Sequence, residues 1–196
     1  MQHRLLGAGV CAGSLIAATG LALMLPGGDA ASQTSGSARE TSLAAWDRVA
    51  SVLQHPRCLN CHHPNAPLVG EDSHTHLPRV VRGRDNQGAP GMRCGSCHGE
   101  RSNNEVSRVP GAKEWKLPPR SMAWGALPVG ELCRTVKNPA KNGGRSPQGL
   151  LKHVIEDSLI QWSWDPGGKR ESLPMPHSVF IDFVDEWVRS GTHCPN

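Results

Sequence analysis

Cys58-Leu59-Asn60-Cys61-His62 and Cys94-Gly95-Ser96-Cys97-His98 are two copies of one five-residue pattern. Two thiols three residues apart lie on one side of a helical turn, where each can add to a vinyl group of a single porphyrin. The histidine that follows at once is carried beneath the porphyrin centre, where its imidazole can bind iron. With 7 Cys and 10 His in 196 residues, chance supplies such a pattern about 0.01 times per chain. Two copies predict two covalently bound haem c groups, one on Cys58, Cys61 and His62, the other on Cys94, Cys97 and His98. A four-thiolate zinc site is the remote alternative. It leaves unexplained why a histidine follows both pairs, and the spacing between the pairs exceeds the usual zinc spacing. A thioredoxin-like motif would need a βαβ context that the sequence lacks.

A haem iron with a proximal histidine needs a second protein ligand if it is to stay closed. Beyond the motifs and the first 31 residues there are seven His (55, 63, 74, 76, 153, 177 and 193) and three Met (92, 122 and 175). His55, His63 and Met92 stand too close to a motif to cross to the other haem face. His76 lies 14 residues beyond His62 and His74 lies 12 beyond it, enough chain to fold over. Met122 follows a Pro-Pro-Arg turn beside Trp124. His76 and Met122 are the first expectations as metal ligands, with His74, His153 and Met175 left open. Cys133 and Cys194 form an even pair outside the motifs, which predicts a disulfide in an oxidising compartment.

The elements that must position these residues are short. Gly (22) and Pro (16) are abundant, Tyr is absent and Phe occurs twice, so an ordinary core would be thin at this size. Two porphyrin plates would supply the missing apolar surface. The expected fold is mainly α: short helices and long loops wrapped around two covalently attached haems, with little or no sheet. Leu43, Trp46, Val49, Ala50 and Leu53 recur at helical spacing behind a cap at Thr41 or Ser42. Further helices are predicted over 128–136, from Ser146-Pro147 with Leu150, Leu151, Val154, Ile155 and Leu159 on one side, and from Pro176 to Gly191. Residues 56–127 show no periodicity, and so long an irregular stretch needs something other than regular structure to organise it.

The chain begins with a basic Met1-Gln2-His3-Arg4, an uncharged run over 5–25, and small residues at Gly28-Asp29-Ala30. This predicts a signal peptide over 1–31, a flexible linker over 32–40 and a di-haem domain over 41–196. An uncleaved anchor is the alternative, since roughly 20 apolar residues span a bilayer. Only then would the protein contact a membrane. The expected location is the periplasm. The net charge of +4 is too small for a nucleic-acid binder. Nine Lys/Arg over 79–120 stand against four acids there, suited to propionates or an acidic partner.

The chain resembles a small family of bacterial periplasmic di-haem c-type cytochromes. Members are often labelled as the cytochrome subunit of isoquinoline 1-oxidoreductase-type molybdenum hydroxylases. Besides Pro56 to His62 and Pro90 to His98, the resemblance rests on Val109-Pro110-Gly111-Ala112, Ser121-Met122-Ala123-Trp124 and Glu131-Leu132-Cys133-Arg134. It continues through Asn142-Gly143-Gly144-Arg145 and Thr192-His193-Cys194-Pro195. Met175-Pro176 is not part of the match. The resemblance implies electron transfer between a dehydrogenase, such as a molybdenum hydroxylase, and other cytochromes or a terminal oxidase. The contrasting expectation is a haem peroxidase, or a gas-binding or redox sensor, which needs one open iron position.

Overall fold

Prolines and short polar side chains set most helix starts in this chain. The computed structural model describes residues 29–100, 107–125 and 127–196. Six α-helices are seen among the described residues: α1 (Asp29–Leu53), α2 (Pro56–Leu59), α3 (Val129–Val136), α4 (Pro147–Glu156), α5 (Ser158–Trp164) and α6 (His177–Arg189). Two antiparallel hairpins of two-residue strands sit in the long middle segment: β1 (Leu68–Val69) with β2 (His74–Thr75), and β3 (Gly88–Ala89) with β4 (Met92–Arg93). Helix outweighs strand, 43% against 6%, so the chain is mainly α.

Ser146 caps α4 by accepting from Gly149 N at 3.1 Å, with Pro147 at the first helical position. Pro128 and Pro176 stand immediately before α3 and α6. The predicted single helix through Leu159 is instead two. Asp157 ends α4 in an extended conformation, and its Oδ1 accepts from Leu159 N and Ile160 N to cap α5.

The expected linker over 32–40 is a second correction, because α1 already begins at Asp29. No proline interrupts 29–53. Once the apolar half of α1 has nucleated against its neighbours, extending the helix costs little. Ser42 is accordingly a buried interior residue and not a cap. Its hydroxyl accepts from His193 N at 2.8 Å and so anchors the C-terminal tail. Residues 1–28 of the expected signal peptide over 1–31 lie outside the described residues, as do Arg101 and Glu105 of the basic stretch. No described helix is long and apolar enough to cross a membrane.

The core forms where α1 lies against α6, with α3 and α4 flanking them. Trp46 and Trp187 meet there with ring centres 4.9 Å apart, both fully buried. Each indole N–H donates to a backbone carbonyl, Trp46 to Val129 and Trp187 to His193. Cys133 on α3 is bonded to Cys194 in the tail, as the sequence predicts, with Cα atoms 5.6 Å apart. A bridge across 61 residues stabilises by about 4 kcal/mol in the chain-entropy view. Gly130 makes the tail's approach feasible: a Cβ there would stand 2.6 Å from the Pro195 carbonyl oxygen.

Candidate functional site

The two CxxCH segments adopt the same turn. In the first, Pro56 opens α2 and His55 caps it, Nδ1 accepting from Arg57 N at 3.1 Å. Cys61 N and His62 N then both donate to the Cys58 carbonyl, at 3.2 and 3.0 Å. In the second, a 3₁₀ turn over Cys94–Ser96 repeats this, with Cys97 N and His98 N donating to the Cys94 carbonyl at 3.1 and 2.9 Å. The hairpin β3–β4 sets up the second turn, and Gly88 is essential to it. Gly88 has φ +91°, and a Cβ there would lie 2.4 Å from the Met92 carbonyl oxygen.

Both histidines are oriented in the same way. His62 Nδ1 bonds the Met122 carbonyl at 2.7 Å, and His98 Nδ1 bonds the Pro110 carbonyl at 2.7 Å. A carbonyl only accepts, so Nδ1 carries the proton in each ring and Nε2 keeps its lone pair for a metal. Each imidazole also stacks on an indole. His62 lies 3.5 Å from Trp124 with planes 10° apart, and His98 lies 4.3 Å from Trp115 with planes 3° apart. Burial lowers the pKa of both rings, that of His62 to about 4, so both are neutral bases at neutral pH. Pro110 and Met122 belong to two of the stretches on which the family resemblance rests; their carbonyls are what those loops deliver.

Each histidine faces a cavity. His98, Cys94 and Cys97 border one of about 430 Å³, together with His76. His62, Cys58 and Cys61 border one of about 270 Å³, together with His153. Arg57, Cys61, Trp115, Lys116, Leu117 and Trp162 line both, so the cavities share a wall.

The expected sixth ligands divide. The His76 ring lies 5.9 Å from that of His98. Two imidazole nitrogens at about 2 Å from one metal put their ring centres roughly 6 Å apart. His76 Nδ1 bonds the Pro78 carbonyl at 2.9 Å, so its Nε2 is again bare. His74, on the same cavity, turns its Nδ1 to Asp72 at 2.6 Å and is largely exposed. Met122 borders the His62 cavity, but its carbonyl sits behind the imidazole, on the Nδ1 side. The structure thus brings Met122 to His62 as the acceptor for its Nδ1 proton. His153 borders the same cavity, with Nδ1 3.5 Å from Asp157 Oδ2 on the next turn. Met175 borders neither cavity; it is buried in the core, and its carbonyl accepts from Trp164 Nε1.

The cysteine chemistry narrows accordingly. Burial raises the Cys58 thiol to about 12 and Cys61 to about 11, and Cys94 is raised by the same cause. These thiols stay protonated, unlike the low-pKa thiolate of a disulfide oxidoreductase. Among the described residues, the potential metal ligands gathered in threes within 4.8 Å are limited to His55, Glu71 and Glu171. The four motif cysteines do not gather as one tetrahedral zinc site.

The residues present fit two haem groups. Four motif thiols remain unbridged beside the cavities, the larger cavity carries three histidines and the smaller two, and buried donors on the shared wall lack acceptors. The two tryptophans behind the histidines were not anticipated as such, although Trp124 stands two residues after Met122. Comparison with family models, with curated proteins and with solved structures finds no match for this chain.

Proposed function

We propose that this protein is a periplasmic di-haem c-type cytochrome that carries electrons. The observation that carries the reading is the repeated geometry: two CxxCH turns, each with its histidine fixed by Nδ1 and opening on a cavity with a second histidine. Bound there, each haem would supply one-electron exchange between ferric and ferrous iron. Cys58 and Cys61, and Cys94 and Cys97, are the thioether positions. His62 and His98 are the proximal ligands, and His153 and His76 the distal ones.

Closed coordination at both irons suits electron exchange and leaves no position for peroxide or a gas. The shared wall supports the same reading, because two groups bound in these cavities would lie side by side. The partners that fit are proteins: a periplasmic dehydrogenase, as in the molybdenum hydroxylase assemblies that the resembled family serves, with another cytochrome or a terminal oxidase beyond it. Optical and EPR spectra of the purified protein test the reading. Two low-spin ferric signals, with no carbon monoxide binding on reduction, are expected. A high-spin iron that turns over peroxide would replace the carrier by an enzyme.

A further inference from the structure

The wall between the cavities holds a buried cation whose bonds are incomplete. Arg57 is 8% exposed. Its Nη2 donates to the Glu171 carbonyl at 2.6 Å and reaches Glu71 Oε1 at 3.3 Å, but its Nε is buried without a partner. The guanidinium lies over the Trp162 ring, 5.9 Å from its centre, and Trp162 Nε1 is also buried without a partner. Both residues line both cavities. A second guanidinium, that of Arg170, borders the larger cavity near Arg57. Burial, and then the Arg57 charge, lower its pKa.

Guanidinium and indole nitrogens only donate, so the missing partner is an acceptor. An unmet buried donor costs about 1–3 kcal/mol. Two such donors beside a buried positive charge call for an anion. We propose that Arg57 and Trp162 form a two-donor seat for one carboxylate of the cofactor at the boundary of the two cavities, and that the Arg57 charge raises the reduction potential of both irons. This rests on the di-haem reading above. A positive charge between two redox centres favours the less positive, ferrous state of each, and it acts strongly in a site shielded from water. Arg57 is thus a positioning and tuning residue that binds no iron.

The test uses the full-length holoprotein and its Arg57→Gln variant. Mass spectrometry comes first: if the unmutated protein carries no haem, the di-haem reading fails and the seat with it. With two haems present in both proteins, redox titration should show both potentials lowered in the variant. The expected change is about tenfold in each one-electron equilibrium, about 59 mV. Both potentials should also gain pH dependence between about pH 5 and 8, as a carboxylate deprived of its donors becomes easier to protonate. Arg189→Gln is the control: Arg189 borders neither cavity and is paired with Asp185 at the surface, so it should shift neither. Trp162→Phe keeps the ring and removes only the N–H, and should give a smaller fall with the same pH dependence. Unchanged potentials in Arg57→Gln, or a shift in one iron alone, would overturn the seat. If Arg57→Gln does not hold its haems, an unchanged Trp162→Phe would overturn it equally.

Discussion

The first CxxCH site is built into the helical core, and the second is built from loops. Their chemistry is the same down to the Nδ1–carbonyl bond and the stacked tryptophan. Their walls are not. Around His62 stand Val49 and Val52 of α1, Leu150 of α4, and Phe180 and Val184 of α6, all buried. Around His98 stand hairpin and loop residues, including Leu77 at 76% exposure and Met92 at 42%. The lesson is that ligand geometry and solvent access are set by separate parts of the chain. Short local turns fix the histidines, and long-range helix packing decides how dry each cavity is. A drier site disfavours the more charged ferric state, so the first iron is expected to have the higher potential.

Deleting one attachment site at a time should break the comparison most sharply. Cys58→Ala/Cys61→Ala should leave one haem and also loosen the α1–α6 core around the vacated cavity. Cys94→Ala/Cys97→Ala should leave one haem with the core intact. Thermal unfolding followed by circular dichroism should give a much lower midpoint for the first variant than for the second. Equal midpoints would mean that the two sites do not differ in their dependence on the core.

Next come the distal histidines. His153→Ala and His76→Ala should each open one iron, so that half of the haem becomes high-spin and binds carbon monoxide. Met122→Ala should leave both irons low-spin, because the interaction that it offers His62 comes from its backbone. A high-spin Met122→Ala with a low-spin His153→Ala would reverse the assignment at the first site.

The stacking tryptophans should differ by less. Trp124 is 5% exposed and donates from Nε1 to the Leu53 carbonyl at 3.1 Å. Trp124→Ala should cost about 3–5 kcal/mol, as expected of a buried aromatic. Trp115 is only partly buried, so Trp115→Ala should cost clearly less in denaturant titration.

The smallest effect belongs to the surface of the second site. Asp85 Oδ2 lies 2.6 Å from Arg93 Nη2, and this bond holds the Asp85 carboxyl below its usual pKa. A carboxyl lowered on folding stabilises the fold above its unfolded pKa of about 3.9. That contribution fades as pH falls through the lower folded value. A carboxyl titration by NMR should place Asp85 below the other exposed acids, and Arg93→Gln should return it to the ordinary range with no change at the first site.

What was legible in the sequence follows from this division. The CxxCH residues could be read because their chemistry lies in a fixed spacing along one turn. The starts of α3, α4 and α6 could be read from Pro128, Ser146-Pro147 and Pro176, and the disulfide from the two cysteines left after the motifs and Cys11. Sequence spacing gives reach but not side. It put His76 within reach of the second site, but it could not show the Met122 carbonyl behind His62 or His153 on the same cavity. The hairpins escaped because two-residue strands are too short to alternate. The break between α4 and α5 was hidden because Leu159 continues the apolar face, though Asp157 was a cap signal in plain view.

The central claim is two covalent haems, and denaturing mass spectrometry tests it most directly. Protein from cells with a cytochrome c maturation system should have the mass of the mature chain plus two haems. Each single-motif cysteine variant should have the mass plus one. A chain without haem that carries stoichiometric zinc would contradict the account.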